Sequence, residues 1–228
     1  MTTTIFTDGS ARGNPGPGGW GAIISTDDSV LELGGREDHT TNNRMELLAA
    51  ISSLEKLQKE KEIIIYTDSA YVLSGSTRWV FGWEKNNWKT STKDSVLNRD
   101  LWEKMLEVTK NKKIDWRLLK GHSGIPANER CDVIATSFAD KKPIILYFGQ
   151  KSKYKIKLNV SNEKQLQAKL PSRVYAYSYV SEVGGIIQTH KSWDECKECV
   201  SGVSNARFKK SKSPEDEAMI IDEFKKKF

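Results

Sequence analysis

Cysteine is scarce in this chain, with Cys131, Cys196 and Cys199 the only three in 228 residues. So odd and sparse a set excludes the disulfide framework of small secreted domains and fits a reducing compartment. No apolar run approaches the roughly 20 residues that a membrane span needs. The opening Met1-Thr2-Thr3-Thr4-Ile5 has neither the basic nor the apolar region of a secretory leader, so the expectation is a cytoplasmic protein with no membrane association. No internal repeat at domain scale is visible. Cys196 and Cys199 stand in a Cys-x-x-Cys with His190 nearby, but the second close ligand pair of a zinc site is missing. Their one-turn spacing reads as two half-buried thiols on a helix.

What is present is an ordinary globular composition, 37% hydrophobic and 29% charged, with length enough for one large domain and a small one. The net charge of +6 is unevenly spread. Residues 1–140 hold 18 Lys and Arg against 20 Asp and Glu. Residues 141–172 hold 8 against 1, and residues 173–228 hold 10 against 9. The excess therefore lies in the middle segment, which reads either as a solvated linker or as an arm whose lysines displace counterions from a nucleic-acid backbone. Three regions follow: 1–140, a basic linker 141–172, and 173–228.

A short strand at Thr3–Thr7 stops at Asp8-Gly9-Ser10. The Gly/Pro-rich loop Gly13–Gly19 then leads into strands at Trp20–Ser25 and Val30–Leu33, an antiparallel meander. Thr40-Thr41-Asn42-Asn43 offers cap residues for a helix from Arg44 to about Glu60, with Leu47, Ala50, Ile51, Leu54 and Leu57 as its apolar stripe. Glu62–Thr67 is a continuous apolar strand of the kind buried in a parallel sheet. Helices are expected near Tyr71–Val80 and Leu97–Thr109, a strand at Ile114–Leu119, and a helix from Pro126 to Ala139. The linker has β-like patches at Ile144–Phe148 and Tyr154–Val160. Beyond it the pattern gives strands at Val174–Val180 and Ile186–Thr189, a helix near Trp193–Val200, an edge strand near Ala206–Lys210 and a last helix from Ser213-Pro214-Glu215. The fold class is α/β, with a small α+β domain at the C-terminus.

Asp8 and Asp68 each end a strand, and these two strands are expected to be parallel neighbours, at the edge where open α/β sheets place their sites. Glu46 borders the apolar stripe of the first helix, and Asp132 lies on the last helix of the first region. Four carboxylates brought to one edge would repel one another. Hard divalent cations such as Mg²⁺ or Mn²⁺ relieve that repulsion, and two of them can serve phosphodiester chemistry. Taken singly, each Asp before Gly or Ser reads equally as a strand-ending turn residue.

The blocks Thr7-Asp8-Gly9-Ser10, Gly13-Asn14-Pro15-Gly16-Pro17-Gly18-Gly19, Thr41-Asn42-Asn43-Arg44-Met45-Glu46-Leu47, Thr67-Asp68-Ser69, Gly121-His122-Ser123-Gly124 and Asn128-Glu129-Arg130-Cys131-Asp132 occur in one order. In that order residues 3–139 resemble the type 1 ribonuclease H family from end to end. The resemblance implies a mixed five-stranded sheet with helices on its faces. It also implies an endonuclease that cuts the RNA strand of an RNA–DNA hybrid, leaving 5′-phosphate and 3′-hydroxyl ends. Asp8, Glu46, Asp68 and Asp132 would bind two Mg²⁺ ions, with Mn²⁺ as a substitute. His122, with an ordinary pKa of ~6.5, would assist water activation or product release, and Glu129 would help shape the metal site. Asn14 and Asn42 match hybrid-contacting positions, with Asn43 beside them. Thr41 and Asn98 match a phosphate pocket for the DNA strand, and Trp79–Trp88, with Trp83 and Lys85, resembles the family's DNA-gripping handle. Its Glu84-Lys85-Asn86-Asn87 is less basic than many handles.

Val174–Phe228 resembles the small hybrid-binding domain of eukaryotic ribonucleases H, also known from a viral inclusion-body protein. The likeness rests on Tyr175-Ala176-Tyr177, Thr189, Trp193-Asp194-Glu195-Cys196, Val200-Ser201-Gly202 and Ala206-Arg207-Phe208-Lys209-Lys210. It implies that Trp193 and Phe208 stack on sugars while Lys209 and Lys210 meet phosphates. Here the module follows the catalytic region, whereas in many family members it precedes it. Other readings are a polynucleotidyl transferase of the same superfamily, a non-catalytic hybrid reader, and a piece of a reverse transcriptase. The expected protein is a monomer in which 1–140 supplies chemistry and the rest affinity. Truncation after Asp140 is then expected to weaken binding, most at high salt, with little loss of saturated rate.

Overall fold

The computed structural model describes residues 2–90, 93–120, 124–160, 166, 178–190, 193–211 and 214–225. His122 lies outside the described residues, as do the Tyr175-Ala176-Tyr177 block, Ser213 and most of 161–177. The chain divides into two compact units, 1–170 and 171–228.

The first unit is built on a mixed sheet. Strands β1 (Thr3–Ala11), β2 (Gly16–Ser25) and β3 (Ser29–Thr40) form the antiparallel meander. β4 (Glu62–Thr67) pairs parallel with β1, and β5 (Lys113–Leu118) pairs parallel with β4. Period-2 alternation sends successive side chains to opposite faces. Ile5, Ile63 and Ile65 join the core under helices α1 (Asn42–Glu55) and α4 (Arg99–Thr109). Phe6, Ile23 and Tyr66 point the other way, towards α5 (Pro126–Ala139). α5 lies very close to the sheet. A Cβ on Gly21 would overlap the carbonyl of Cys131, and one on Gly19 the backbone of Ala135 and Ala139. Glycine is needed at both positions because the helix backbone occupies the space of a side chain.

Several expectations change. β1 does not stop at Asp8 but runs on to Ala11, its pairing with β2 continuing past the end of β4; β3 extends to Thr40, and α1 ends at Glu55, short of Glu60. The helix foreseen near Tyr71–Val80 is three pieces: α2 (Ala70–Ser74), a π-helical turn at Gly75–Trp79, and α3 (Val80–Lys85). Gly75 sits against the Trp102 ring, where a Cβ would clash, so the helix passes that ring on a widened turn. The sheet has six strands rather than five, in the order β5-β4-β1-β2-β3-β6. The sixth, β6 (Phe148–Gln150), comes from the basic segment and pairs antiparallel with Ser29–Leu31.

That segment is therefore not a free arm over its described length. Its anchor is Glu32, a buried carboxylate on β3. Glu32 accepts from Arg130 Nε and Nη2 at 2.8 and 2.7 Å, from the Tyr154 hydroxyl at 2.6 Å and from the Tyr147 amide at 2.9 Å. Burial raises the Glu32 pKa, but these donors outweigh it and hold the carboxyl below its ordinary value. Burial and the Glu32 carboxylate push the Tyr154 hydroxyl up, so it stays protonated and donates. Tyr147, Tyr154, Leu158, Val160 and Leu166 pack on the Phe6, Tyr66 and Leu119 side of the sheet. They cover apolar surface beside α5 that the meander and helices leave open. Truncation after Asp140 would remove this cover along with the lysines, so it no longer separates affinity from folding.

The second unit has an antiparallel sheet in the order β8-β7-β9, from β7 (Ser178–Val183), β8 (Ile186–His190) and β9 (Arg207–Ser211). Helices α6 (Trp193–Val200) and α7 (Pro214–Lys225) complete it. Val180, Ile220 and Phe224 form its small core.

Replacing Tyr154 by Phe leaves the buried Glu32 one donor short, a cost of about 1–3 kcal/mol. Urea unfolding of the full chain measures it, and an unchanged midpoint would mean that the strap is not anchored there.

Candidate active site

The C-terminal edge of β1 and β4 sets the site. Parallel pairing aligns Thr7 with Thr67, so Asp8 and Asp68 emerge side by side. Thr41 caps α1, its hydroxyl accepting the Arg44 amide at 3.4 Å, and this fixes the first turn against β1. Gly9 permits the contact, because a Cβ there would overlap the backbone of Met45 and Glu46. Glu46 is thereby buried among α1's core-facing residues with its carboxylate turned to the strand ends. One ligand oxygen from each of Asp8, Glu46 and Asp68 lies within 4.8 Å of the other two.

So close a triad in a buried place is electrostatically costly. Burial first, then the charges of Asp68 and Asp132, push the Asp8 carboxyl up to about 8. Burial, then Asp8 and Asp68, raise Glu46 well above its ordinary value. Compensation from the protein is small. The Gly9 amide donates to Asp8 Oδ1 at 2.7 Å, and the Asn42 side chain reaches Glu46 Oε1 at 3.5 Å. Glu46 Oε2 is buried with no hydrogen-bond partner. An orphaned carboxylate oxygen inside a cluster of like charges fits a hard cation, and all-oxygen donors select Mg²⁺ or Mn²⁺ over softer ions.

The triad opens into a cleft of about 450 Å³ that Asp132, Glu129, Asn42, Asn43 and Gly124 also line. Asp132 is exposed on α5 and stands apart from the tight triad, on the cleft wall. Asn14 is exposed, its Oδ1 accepting the Asn42 amide at 3.4 Å, which ties the Gly/Pro loop to the start of α1.

Two cleft residues had no role in the sequence reading. Asn128 donates to Asp68 Oδ2 at 3.4 Å, while its own Oδ1 is buried without a partner. Its position one turn before Asp132 on α5 was the available signal. Tyr71 lines the cleft, and its hydroxyl accepts from Asn98 Nδ2 at 3.1 Å and from Trp102 Nε1 at 3.0 Å. Asn98 reaches it from a left-handed backbone, φ 59°.

The tryptophans of the handle segment are packed, while Phe81, Gly82 and Glu84–Asn87 are exposed. Trp79, Trp83, Trp102 and Tyr71 form one aromatic cluster with centroids 5.4–6.1 Å apart. Trp83 is half-buried there, and Trp88 is 9% exposed and belongs to the core. Lys85 is exposed.

In the second unit Tyr179, Trp193 and Phe208 form a ring cluster with centroids 5.6 and 5.1 Å apart. Trp193 and Phe208 remain 38% and 50% exposed. Lys210 pairs opposite Tyr179 on that same face. Lys209 lies on the other face, opposite Val180, where its Nζ meets Glu223 of α7 at 2.6 Å. The four residues named from sequence thus divide three to one, and Tyr179 joins the three.

The sequence profile of the RNase H family matches residues 1–140. A ribonuclease H from Bradyrhizobium sp. is 54% identical over 132 residues, 58% of this chain and 86% of the relative. One from Maricaulis maris is 53% identical over 135 residues, 59% and 91% of the two chains. Among solved structures, a type 1 RNase H with the type 2 active-site motif superposes with a TM-score of 0.55 at 26% identity. It covers 66% of this chain and 74% of its own.

A carboxylate whose folded pKa is raised from ~3.9 to about 8 favours the folded state only while protonated. The metal-free protein should therefore lose stability as pH rises from about 4 to about 8. Melting in chelator between pH 5 and 9 should show a falling Tm, flattened in Asp68→Asn and recovered in wild type by excess Mg²⁺. A Tm that rises with pH in chelator would contradict this account.

Proposed function

The chain belongs to the RNase H family, enzymes of RNA–DNA hybrids, and from that premise we propose that it hydrolyses only the RNA strand, by a two-metal mechanism giving 5′-phosphate and 3′-hydroxyl ends. It would act as a cytoplasmic monomer. The observation that carries the reading is the buried triad of Asp8, Glu46 and Asp68 with an unpartnered Glu46 oxygen.

Asp8, Glu46, Asp68 and Asp132 would hold the ions. Bound there, two Mg²⁺ ions supply a water acidic enough to attack and charge stabilisation for the leaving oxygen. The protein's own residues do the positioning. The Gly9 amide holds Asp8, Asn128 orients Asp68, and Asn42 orients Glu46. His122 and Glu129 are assigned to proton exchange and to shaping the ion site. Asn14, Asn42 and Thr41 gather at the α1 terminus beside the cleft, with small polar groups suited to reading 2′-hydroxyls and phosphates in a minor groove. Asn98 is assigned to the DNA-strand phosphate pocket, and Trp83 and Lys85 to the handle, with Lys85 the exposed charge. In the second unit, Trp193 and Phe208 with Lys210 would meet the hybrid's DNA strand by stacking and charge. Lys209, paired with Glu223, would contribute by exchanging that partner for a phosphate.

Cleavage of a uniform RNA–DNA hybrid with Mg²⁺, beside duplex RNA as control, tests the reading. Wild type should cut only the hybrid's RNA strand. Asp68→Asn should lose far more than the 10–100-fold typical of groups that orient a metal ligand, and Asn128→Ala should fall within that range. A wild type that binds the hybrid in Mg²⁺ without cutting it would make the protein a reader instead.

A further inference from the structure

Three features stand outside the cleft: a groove under the π-helical turn lined by Phe81, Trp116 and Lys110, a shallow recess by His190 and Cys199, and the strap that leaves β6. Nothing in the structure says what would occupy the first two. The strap carries an argument.

From Tyr154 to Val160 its residues alternate strictly. Tyr154, Ile156, Leu158 and Val160 are half-buried, while Lys155, Lys157 and Asn159 are exposed, as is Lys153 before them. No Asp or Glu occurs between residues 143 and 160. Tyr154, Leu158 and Val160 pack on the sheet. The strap is fixed at its start by the β6 pairing and by Tyr154 on Glu32. Leu166 makes a single bridge to Leu119, just after β5. Other cations of the segment serve the fold: Lys151 Nζ donates to the Thr26 carbonyl at 3.0 Å and Lys141 lies 3.7 Å from Asp38. Lys153, Lys155 and Lys157 make no ion pair with a carboxylate among the described residues.

We propose that Lys153, Lys155 and Lys157 form a fixed rail for a phosphodiester backbone, built into the catalytic unit and not part of a tether. This rests on the hybrid being the substrate and adds the surface that holds it outside the cleft. Lys153 closes the 3-10 turn Lys151–Lys153, and Lys155 and Lys157 follow at alternate residues, so three exposed lysines succeed one another along the strap, each two residues from the next. Because the inner side chains immobilise the strap, little chain entropy opposes the contact. The unit needs such charge, since residues 1–140 carry more acidic than basic side chains and the cleft itself is anionic.

The test uses the full chain with Lys153→Gln, Lys155→Gln and Lys157→Gln combined, binding an intact RNA–DNA hybrid in chelator across a salt series. Every phosphate deprived of its lysine should lower the slope of log affinity against log salt by about 0.9. The triple variant should therefore lose about 2–3 units of slope and bind at least tenfold more weakly near 150 mM salt. Its Tm and its rate at saturating hybrid should be unchanged. A control with Lys59→Gln, Lys61→Gln and Lys110→Gln removes equal charge elsewhere and should keep the slope. An unchanged slope in the first variant, or an equal drop in the control, overturns the rail. If wild type neither binds nor cuts the hybrid, the enzymatic reading fails instead, so the two failures are distinguishable.

Discussion

Mutual repulsion among the carboxylates at the end of the central strands is the constraint on which the rest depends. Asp8, Glu46 and Asp68 sit within 4.8 Å of one another in a buried place, where ionised groups are least welcome. No single local element holds such an arrangement. It persists because β1 and β4 are paired in parallel register, because α1 is capped at Thr41, and because Gly9 lets the helix touch the strand. The scaffold fixes where the charges meet, and so holds three carboxylates close enough to suit a cation instead of leaving them as separate solvated side chains.

A second buried carboxylate shows the opposite solution. Glu32 lies as deep as Glu46, yet it is satisfied by Arg130, Tyr154 and the Tyr147 amide and keeps a lowered pKa. The two groups differ in their partners more than in their burial. One is matched by the protein and serves the fold, binding α5, β3 and the strap together. The other keeps one oxygen without a hydrogen-bond partner and faces the cleft. The same contrast divides the basic segment, whose inner residues join the core while alternate lysines face water.

The cap, the opening meander and the parallel pairing of the strands that carry Asp8 and precede Asp68 were legible in the sequence because they follow from local rules. A Thr before a helix and an apolar run between turns need only neighbouring residues to be read, whereas the run of β1 past Asp8 to Ala11 depends on its pairing with β2. The segment after Asp140 was not legible in that way. Its composition is that of a linker, and its anchors, Glu32 and Arg130, lie 115 and 15 residues away along the chain from Tyr147 and Ile145. The π-helical turn was hidden for the same reason, since Trp102 belongs to another helix.

By itself, the sequence determined most of the element types, the family likeness and a set of candidate carboxylates, since these are written in periodicity, caps and motif order. Only the tertiary structure decided which of them meet. It drew Asp8, Glu46 and Asp68 into one cluster and left Asp132 on the cleft wall. It turned Trp88 into core, and set Lys210 beside Phe208 but Lys209 against Glu223. The physical reason is that burial and partnership are properties of long-range packing. Two residues adjacent in sequence on a strand face opposite ways, and what lies on each side is supplied by chain far away.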